Sequence, residues 1–385
     1  MPMRPLQGIR VLDFSTLLPG PMATLVLAEA GAEVLKIERP GRGDEMRSYE
    51  PKFSPGDSDS VNFAMLNRGK RSIACDMKDP AVVAQLLALA KEADIVIEQF
   101  RPGVMDRLGL GYEAMKAANP KIIYCAITGW GQDGPSRDVA AHDLNYVAET
   151  GLLGLAAGND GAPVVPPALI ADIAGGTYPA LVNILLALRQ RDQTGQGCML
   201  DIAMADNLFT FMYWAIGNAQ AAQQWPTPGG DLVTGGSPRY QVYKTLDGRY
   251  IAAAPLEDKF WGNFLKIIGA PATLEQDAGS PAATRAEVQQ RIGAKTAAHW
   301  AQAFAGVDVC CNVVPSLQEA LAHPHFAARG VFDHGLSGAG GTRIDALPVP
   351  VAPQFRAAAG VDAVVAVVGF PALGEANGEW GFGGP

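Results

Sequence analysis

Residues 9–38 read IRVLDFSTLLPGPMATLVLAEAGAEVLKIE and contain one complete folding unit. A short apolar run at 9–14 leads into Leu17-Leu18-Pro19-Gly20-Pro21, then into a helical stretch at 22–30 that Gly31 stops. The next six residues, Glu33–Glu38, read as a strand. Strand, turn, helix and strand in this order build a parallel sheet. The pattern recurs: 80–92 is helical, while DIVIEQF at 94–100 and KIIYCAITGW at 121–130 are further strands. The alternation predicts an α/β fold with a Rossmann-like, doubly wound parallel large domain. A GxGxxG fingerprint after the first strand is absent, which argues against NAD or FAD and against a dehydrogenase. In such sheets ligands lie beyond the strand carboxyl ends, so the loops after Phe14, Glu38, Phe100 and Trp130 are candidate site loops.

Further along, 178–191 is an apolar helix ended by the turn residues Gln193-Thr194-Gly195-Gln196-Gly197, and 199–204 is a strand. Residues 219–236, rich in Ala, Gln, Pro and Gly, read as a linker. Then 239–244 and 249–254 flank Asp247-Gly248 as a hairpin, with helices at 260–268, 285–293, 296–304 and 316–322. The expected organisation is a large domain at 1–205, a linker at 206–230, a smaller α+β domain at 231–325, and a segment at 326–385 that returns to the large domain or to a partner subunit.

Composition narrows the function. The chain of 385 residues is 48% hydrophobic and 18% charged, which suits globular domains with sizeable cores. A net charge of −9 argues against nucleic acid as a partner. No apolar run reaches the ~18–20 residues of a membrane span, and the first ten residues lack a signal-peptide core. Five scattered cysteines make neither a disulfide framework nor a zinc spacing. The expectation is a cytoplasmic protein with no metal and no resident cofactor.

Three groups of residues could carry chemistry. The polar loops PGRGDEMR (40–47) and NRGKRS (67–72) hold Arg42, Arg47, Arg68, Lys70 and Arg71, and Arg101 and Arg107 follow a strand. Charged loops are commonly just solvated, but Arg and Lys beside glycine backbone can also hold a phosphate-rich group. His142, in HDLNY (142–146), and Asp172, in ADIAGG (171–176), each stand beside small residues or a helix start, where a ligand can approach the backbone. Taken singly, His142 is a structural histidine, Asp172 a helix N-cap and Glu257 a surface carboxylate beside Asp258 and Lys259.

Taken together and in order, these motifs resemble those of family III CoA-transferases (CaiB/BaiF type), the family that also contains α-methylacyl-CoA racemases. The resemblance runs from Leu6 to about Arg329 and rests on LQGIRVLDFS (6–15), PGPMA (19–23), GAEVLKIERPGRGD (31–44), NRGKRSI (67–73) and FRPGVMDRLGL (100–110). It continues through TGWGQDGP (128–135), HDLNY, ADIAGG, TGQG (194–197) and DGRYIAAAPLE (247–257). It implies two ring-shaped subunits interlocked as a homodimer, with a coenzyme A thioester as substrate. Arg39, Arg101 and Arg107 are the implied contacts of the CoA phosphates, with Arg47, Lys70 and Arg71 as further candidates.

The resemblance also frames the reaction. In the racemases the aspartate matching Asp172 is a general acid/base, His142 is the second proton carrier, Glu257 orients His142, and Asp143 supports them. Racemisation needs two carriers, because one base tends to return the proton to its own face. Amides after Gly175-Gly176 would stabilise the thioester oxyanion. In the transferases the same aspartate is a nucleophile that forms an acyl anhydride. Ala126, where racemases have an arginine, and the long stretch 41–67 resemble the transferase branch. Against these two features, the match of HDLNY and Glu257 to the racemases puts racemase chemistry first, CoA transfer second, and a non-catalytic CoA-binding subunit third. The acyl group is not legible; the apolar run 208–214 reads as core.

Overall fold

The structure, a computed structural model, describes residues 4–158, 160–338, 341–356 and 366–367. Its first compact unit comprises Met1–Thr150, Pro166–Phe209 and Ala327–Pro385. Six parallel strands follow the chain: β1 (Arg10–Asp13), β2 (Glu33–Glu38), β3 (Arg71–Ala74), β4 (Ile95–Glu98), β5 (Ile123–Thr128) and β6 (Cys198–Ala203). They lie in the order 3-2-1-4-5-6, which is the doubly wound order. Connecting helices include α1 (Pro19–Glu29), α2 (Val61–Asn67), α3 (Pro80–Ala90), α4 (Val104–Arg107), α5 (Tyr112–Ala118), α6 (Asp143–Glu149) and α7 (Tyr178–Thr194), and α8 (Met204–Leu208) follows β6. Every residue of β4 and β5 is buried, as expected where helices cover both faces of a parallel sheet. Leu12, Leu35, Val96 and Tyr124 from four strands pack with Leu86 and Leu89 of α3 in one core.

Of these six strands, one was not expected. β3, RSIA, carries only two apolar residues and continues directly from the NRGK run, so it reads as loop; pairing with β2 makes it a strand. A short C-terminal strand at Ala366–Val367 adds to its outer edge in parallel. Of the expected C-terminal return, residues 326–338 and 341–356 are also described, and Arg68 Nη2 donates to the Leu347 carbonyl at 2.8 Å; the rest lies outside the described residues.

The second compact unit comprises Gly151–Val165 and Thr210–Phe326. Residues 151–165, expected in the large domain, belong here, and the expected linker contains a helix, α9 (Tyr213–Ala222). An antiparallel sheet of β7 (Gln241–Lys244), β8 (Tyr250–Ala253) and β9 (Cys311–Val313) packs against α10 (Asp258–Ile267), α11 (Pro281–Ile292) and α12 (Ala297–Phe304). Its core is aromatic: Trp261 stacks on Phe264 and Trp300 on Phe304, and Phe264 meets Phe304 at a tilt.

Among the described residues one helical stretch, Ala171–Thr194, is long and apolar enough to cross a membrane by length and composition, and half of it is buried inside the protein. It packs against α1, β5 and β6 as a core helix does.

Candidate active site

The sheet reverses its direction of growth between β1 and β4, and doubly wound sheets bind ligands at such a switch point. A cleft of about 450 Å³ opens there, lined by Thr16 and Leu17 after β1 and by Gln99 and Arg101 after β4. Gln99 stitches the two loops together. Its Nε2 donates to the Thr16 carbonyl at 2.5 Å, and its Oε1 accepts the Gly20 N–H at 3.1 Å. Residue 20 must be glycine, since a Cβ would lie 2.2 Å from that of Ser15. Leu17 has φ 61°, costly for a bulky side chain, and the Asp44 carboxylate accepts its N–H at 3.1 Å. Backbone strain over-determined by neighbours is typical of functional sites.

Beneath this loop lies a buried ionic network. Asp13 and Lys70 pair at 3.3 Å and Lys36 and Asp44 at 2.9 Å, all four side chains fully shielded from solvent. Burial alone would raise the Asp13 carboxyl; Lys36, Lys70 and the Ser15 and Thr24 hydroxyls outweigh it and hold the pKa at about 2. Lys36 Nζ also donates to the Ser15 carbonyl at 2.7 Å, so the network fixes the backbone that enters the cleft.

Asp172 reaches the cleft from the other side. It stands in a π-helical turn, Ala171–Thr177, that runs without a break into α7. Widened turns of this kind recur at functional sites. The turn is clamped from three directions. A Cβ on Gly175 would sit 2.3 Å from the Met204 carbonyl oxygen, Asn207 Nδ2 donates to the Gly175 carbonyl at 2.8 Å, and the Thr177 hydroxyl donates to the Pro19 carbonyl at 2.8 Å. Asp172 is therefore inside a helical turn and is not its N-cap, which is Ile170. The amides after Gly176 are likewise not a free helix end: Thr177 is helical and the Tyr178 N–H bonds to the Ile173 carbonyl.

The HDLNY motif builds the facing wall, with a separate task for each polar residue. His142 is the N-cap position of α6, exposed and lining the cleft, and its backbone N–H donates to Asn145 Oδ1 at 3.0 Å. Asp143 is buried, and its Oδ1 accepts the backbone N–H of Asp172 at 2.9 Å. Tyr146 donates to the Ala141 carbonyl at 3.1 Å and packs edge-on to Trp130; Gly129 makes room for it, since a Cβ there would lie 2.2 Å from the Tyr146 hydroxyl. Burial and, secondarily, the Asp143 charge raise the Asp172 carboxyl to about 7. Burial also raises the Tyr146 phenol, with Asp172 adding to the effect.

The structure brings His142, Asp143, Asp172 and Arg101 to this wall and cleft. Arg107 is exposed on α4. Arg39 donates to the Gly43 carbonyl and pairs with Glu45 at 3.0 Å, facing a separate polar groove that it shares with Arg42. Glu257 is in the second unit, exposed at the N-cap position of α10. Two expected ligand contacts are corrected. Lys70 is buried, committed to Asp13, Asn67 Oδ1 and the Pro21 carbonyl. Arg47 borders Arg39's groove, but it grips Glu38 with two nitrogens, pairs with Asp59 and lies 3.8 Å over the Phe63 ring. Arg71 is the exposed first residue of β3, not a loop residue.

Two cleft residues escaped the sequence reading. Gln99 carried no signal beyond its place after a strand. Arg137, in the loop after β5, lines the cleft, and its Nε is buried without a hydrogen-bond partner.

Comparison with known proteins gives this crevice a lineage. The model of CoA-transferase family III matches residues 6–372. Human alpha-methylacyl-CoA racemase is 34% identical over 336 residues, spanning 85% of this chain and 82% of its own length. The acetyl-CoA:oxalate CoA-transferase of Acetobacter aceti is 31% identical, spanning 91% and 90%. A crystal structure of a CaiB/BaiF family protein from Brucella suis is similar with a TM-score of 0.77 at 29% identity, covering 90% of this chain and 92% of that one. A match over nearly the whole length, by family model, by sequence and by structure, has one reading: the chain belongs to CoA-transferase family III.

Proposed function

We propose that the protein acts on acyl-CoA thioesters and racemises a 2-methylacyl-CoA by passing the α-proton between His142 and Asp172. The observation that supports this most directly is that both side chains line one cleft while the Asp172 carboxyl is raised to about 7. Near neutral pH both of its protonation states are populated, as a group that must both take and give a proton requires. One carrier removes the proton α to the thioester carbonyl, the C–H electron pair moves into an enolate, and the other carrier delivers a proton to the opposite face. Arg101, with Arg39 and Arg107, would meet the CoA phosphates.

A second reading is CoA transfer between carboxylic acids, and Arg137 favours it. Its guanidinium lines the cleft with only a loose 3.6 Å pair to the neighbouring Asp138, and it suits a substrate carboxylate. There Asp172 would attack the thioester carbonyl, form an acyl anhydride and release CoA thiolate. Solvent deuterium exchange at the α-carbon of a 2-methylacyl-CoA, followed by NMR, separates the two. Racemisation predicts exchange and loss of chirality in wild type that disappear in both His142→Ala and Asp172→Ala. Absence of exchange, with CoA transfer to a dicarboxylate that Asp172→Ala abolishes and His142→Ala spares, sinks the racemase reading.

A homodimer belongs to the same proposal. Tyr178, Val182, Leu185 and Leu186 recur at helical spacing on α7 and are exposed, Leu186 by 63%, an apolar stripe suited to cover by a second copy. Leu185→Glu is expected to shift the sedimenting species from dimer to monomer; a wild type that sediments as a monomer removes this part of the proposal.

A further inference from the structure

Either chemistry proposed above puts negative charge on the thioester oxygen, which an oriented donor must answer. The amides expected in that place, those after Gly176, lie within a continuous helix. The HDLNY wall carries another donor. Asn145 is exposed and lines the cleft with His142 and Asp172. Its Oδ1 accepts the His142 N–H at 3.0 Å, which fixes the amide so that Nδ2 is its remaining polar group. Among the described residues nothing accepts a hydrogen bond from Nδ2. Three other neutral side-chain donors of the cleft are committed: the Tyr146 hydroxyl to the Ala141 carbonyl, Trp130 Nε1 to the Val139 carbonyl, and Gln99 Nε2 to the Thr16 carbonyl. The Thr16 and Thr128 hydroxyls also line the cleft, but they rotate about their C–O bonds. The Asn145 amide is held in one orientation before a ligand arrives.

Its position suits the reaction as well. The hydrogen bond keeps Asn145 beside the backbone of His142, and Asp143 of the same turn accepts the Asp172 N–H at 2.9 Å. The free donor is therefore held on the turn that carries one proposed proton carrier and is bonded to the other. We infer that Asn145 is a catalytic residue whose Nδ2 donates to the thioester carbonyl oxygen and stabilises the charge that develops there. When the α-proton leaves, the C–H pair becomes the carbon–carbon double bond of the enolate. The carbonyl π pair moves onto oxygen, where the Asn145 N–H meets it, and reprotonation returns both pairs. In CoA transfer the same oxygen takes the charge as the Asp172 carboxylate adds to the carbonyl carbon, and gives it up as the thiolate departs. The amide keeps its proton throughout. The helix cap uses Oδ1 alone, so the two tasks of Asn145 can be separated by substitution.

This inference rests on the reading of the cleft as an acyl-CoA site, so binding is measured first, by calorimetry with isobutyryl-CoA. Infrared difference spectroscopy with an isotopically labelled carbonyl in the same thioester then reads the oxygen itself, since a donated hydrogen bond lowers the C=O stretch. The bound band is expected at lower frequency in wild type than in Asn145→Asp or Asn145→Leu. Asn145→Asp keeps an acceptor for the His142 N–H, so the cap survives; Asn145→Leu removes the donor without adding charge. Turnover of the reaction that wild type performs, α-exchange or CoA transfer, should fall about 10²–10³-fold in both variants, while the Kd changes far less. A band that stays at its wild-type position in both variants overturns the inference even where turnover has fallen. A lost cap or an added charge can lower turnover without touching the hydrogen bond to the oxygen. Wild-type turnover in both variants overturns it as well. A wild type that binds no isobutyryl-CoA overturns the acyl-CoA reading and the inference with it, whereas binding with an unmoved band sinks the assignment of Asn145 alone.

Discussion

Two carboxylates at the same end of the sheet have opposite fates. Asp13 is sealed from solvent among Lys36, Lys70 and two hydroxyls and is held at about 2. Asp172, only half-buried, meets the carboxylate of Asp143 and is raised to about 7. Burial pushes both upward; what separates them is the sign of the neighbouring charge. Where cations answer the buried charge the acid becomes scaffold, permanently ionised and binding backbone. Where another acid stands beside it, the proton is left exchangeable near neutral pH, at a cost in stability that the rest of the fold bears.

Three substitutions would break or sharpen this contrast. Asp172→Asn has the largest expected effect. Turnover should fall by about 10²–10⁴-fold or more, since a proton carrier or nucleophile is lost. Its stability should move the other way. A carboxyl whose folded pKa is raised contributes stability that is present below the unfolded value and lost as pH rises through about 7. The amide escapes that loss, so the Asp172→Asn protein should be more stable than wild type at pH 8 by about 1–2 kcal/mol, readable in urea unfolding. A less stable variant at that pH would remove the view of Asp172 as a strained acid.

Lys70→Met tests the other member of the pair and should act on stability instead. Asp13 keeps Lys36 but loses one cation inside a sealed site, and breaking a buried pair costs about 3–5 kcal/mol. Acyl-CoA affinity of the folded fraction should be unchanged, which separates the scaffold role from the ligand contact expected of this lysine. A folded, stable variant with weakened CoA binding would reverse that assignment.

Asp143→Asn should have the smallest effect and the most specific one. The new amide oxygen can still accept the Asp172 N–H, while the like charge disappears. The apparent pKa of Asp172 in a pH–rate profile should therefore drop by about 1 unit or less, because burial, the larger cause, remains. A profile that does not move would leave burial as the sole cause.

Much of this was legible in order and spacing. The strand, helix and strand of residues 9–38 led to the doubly wound sheet, because side-chain period and glycine stops are local properties. Within HDLNY the side chains of Asp143, Asn145 and Tyr146 each meet backbone within one turn or on the adjoining segment, which ties the motif into one wall. The basic loops were not legible in the same way. Arg47 and Lys70 look like Arg39 and Arg101 in the sequence, yet they are spent on Glu38, Asp59, Asp13 and Asn67. β3 was hidden for a related reason: its pairing partner β2 supplies what its own composition lacks.

By itself the sequence determined the α/β class and the family, since these depend on pattern along the chain. Only the tertiary structure decided which charges are answered. It set Lys70 against Asp13 and Asp143 against Asp172. Charges interact through space with a strength set by burial, and neither distance nor burial is a property of any residue taken alone.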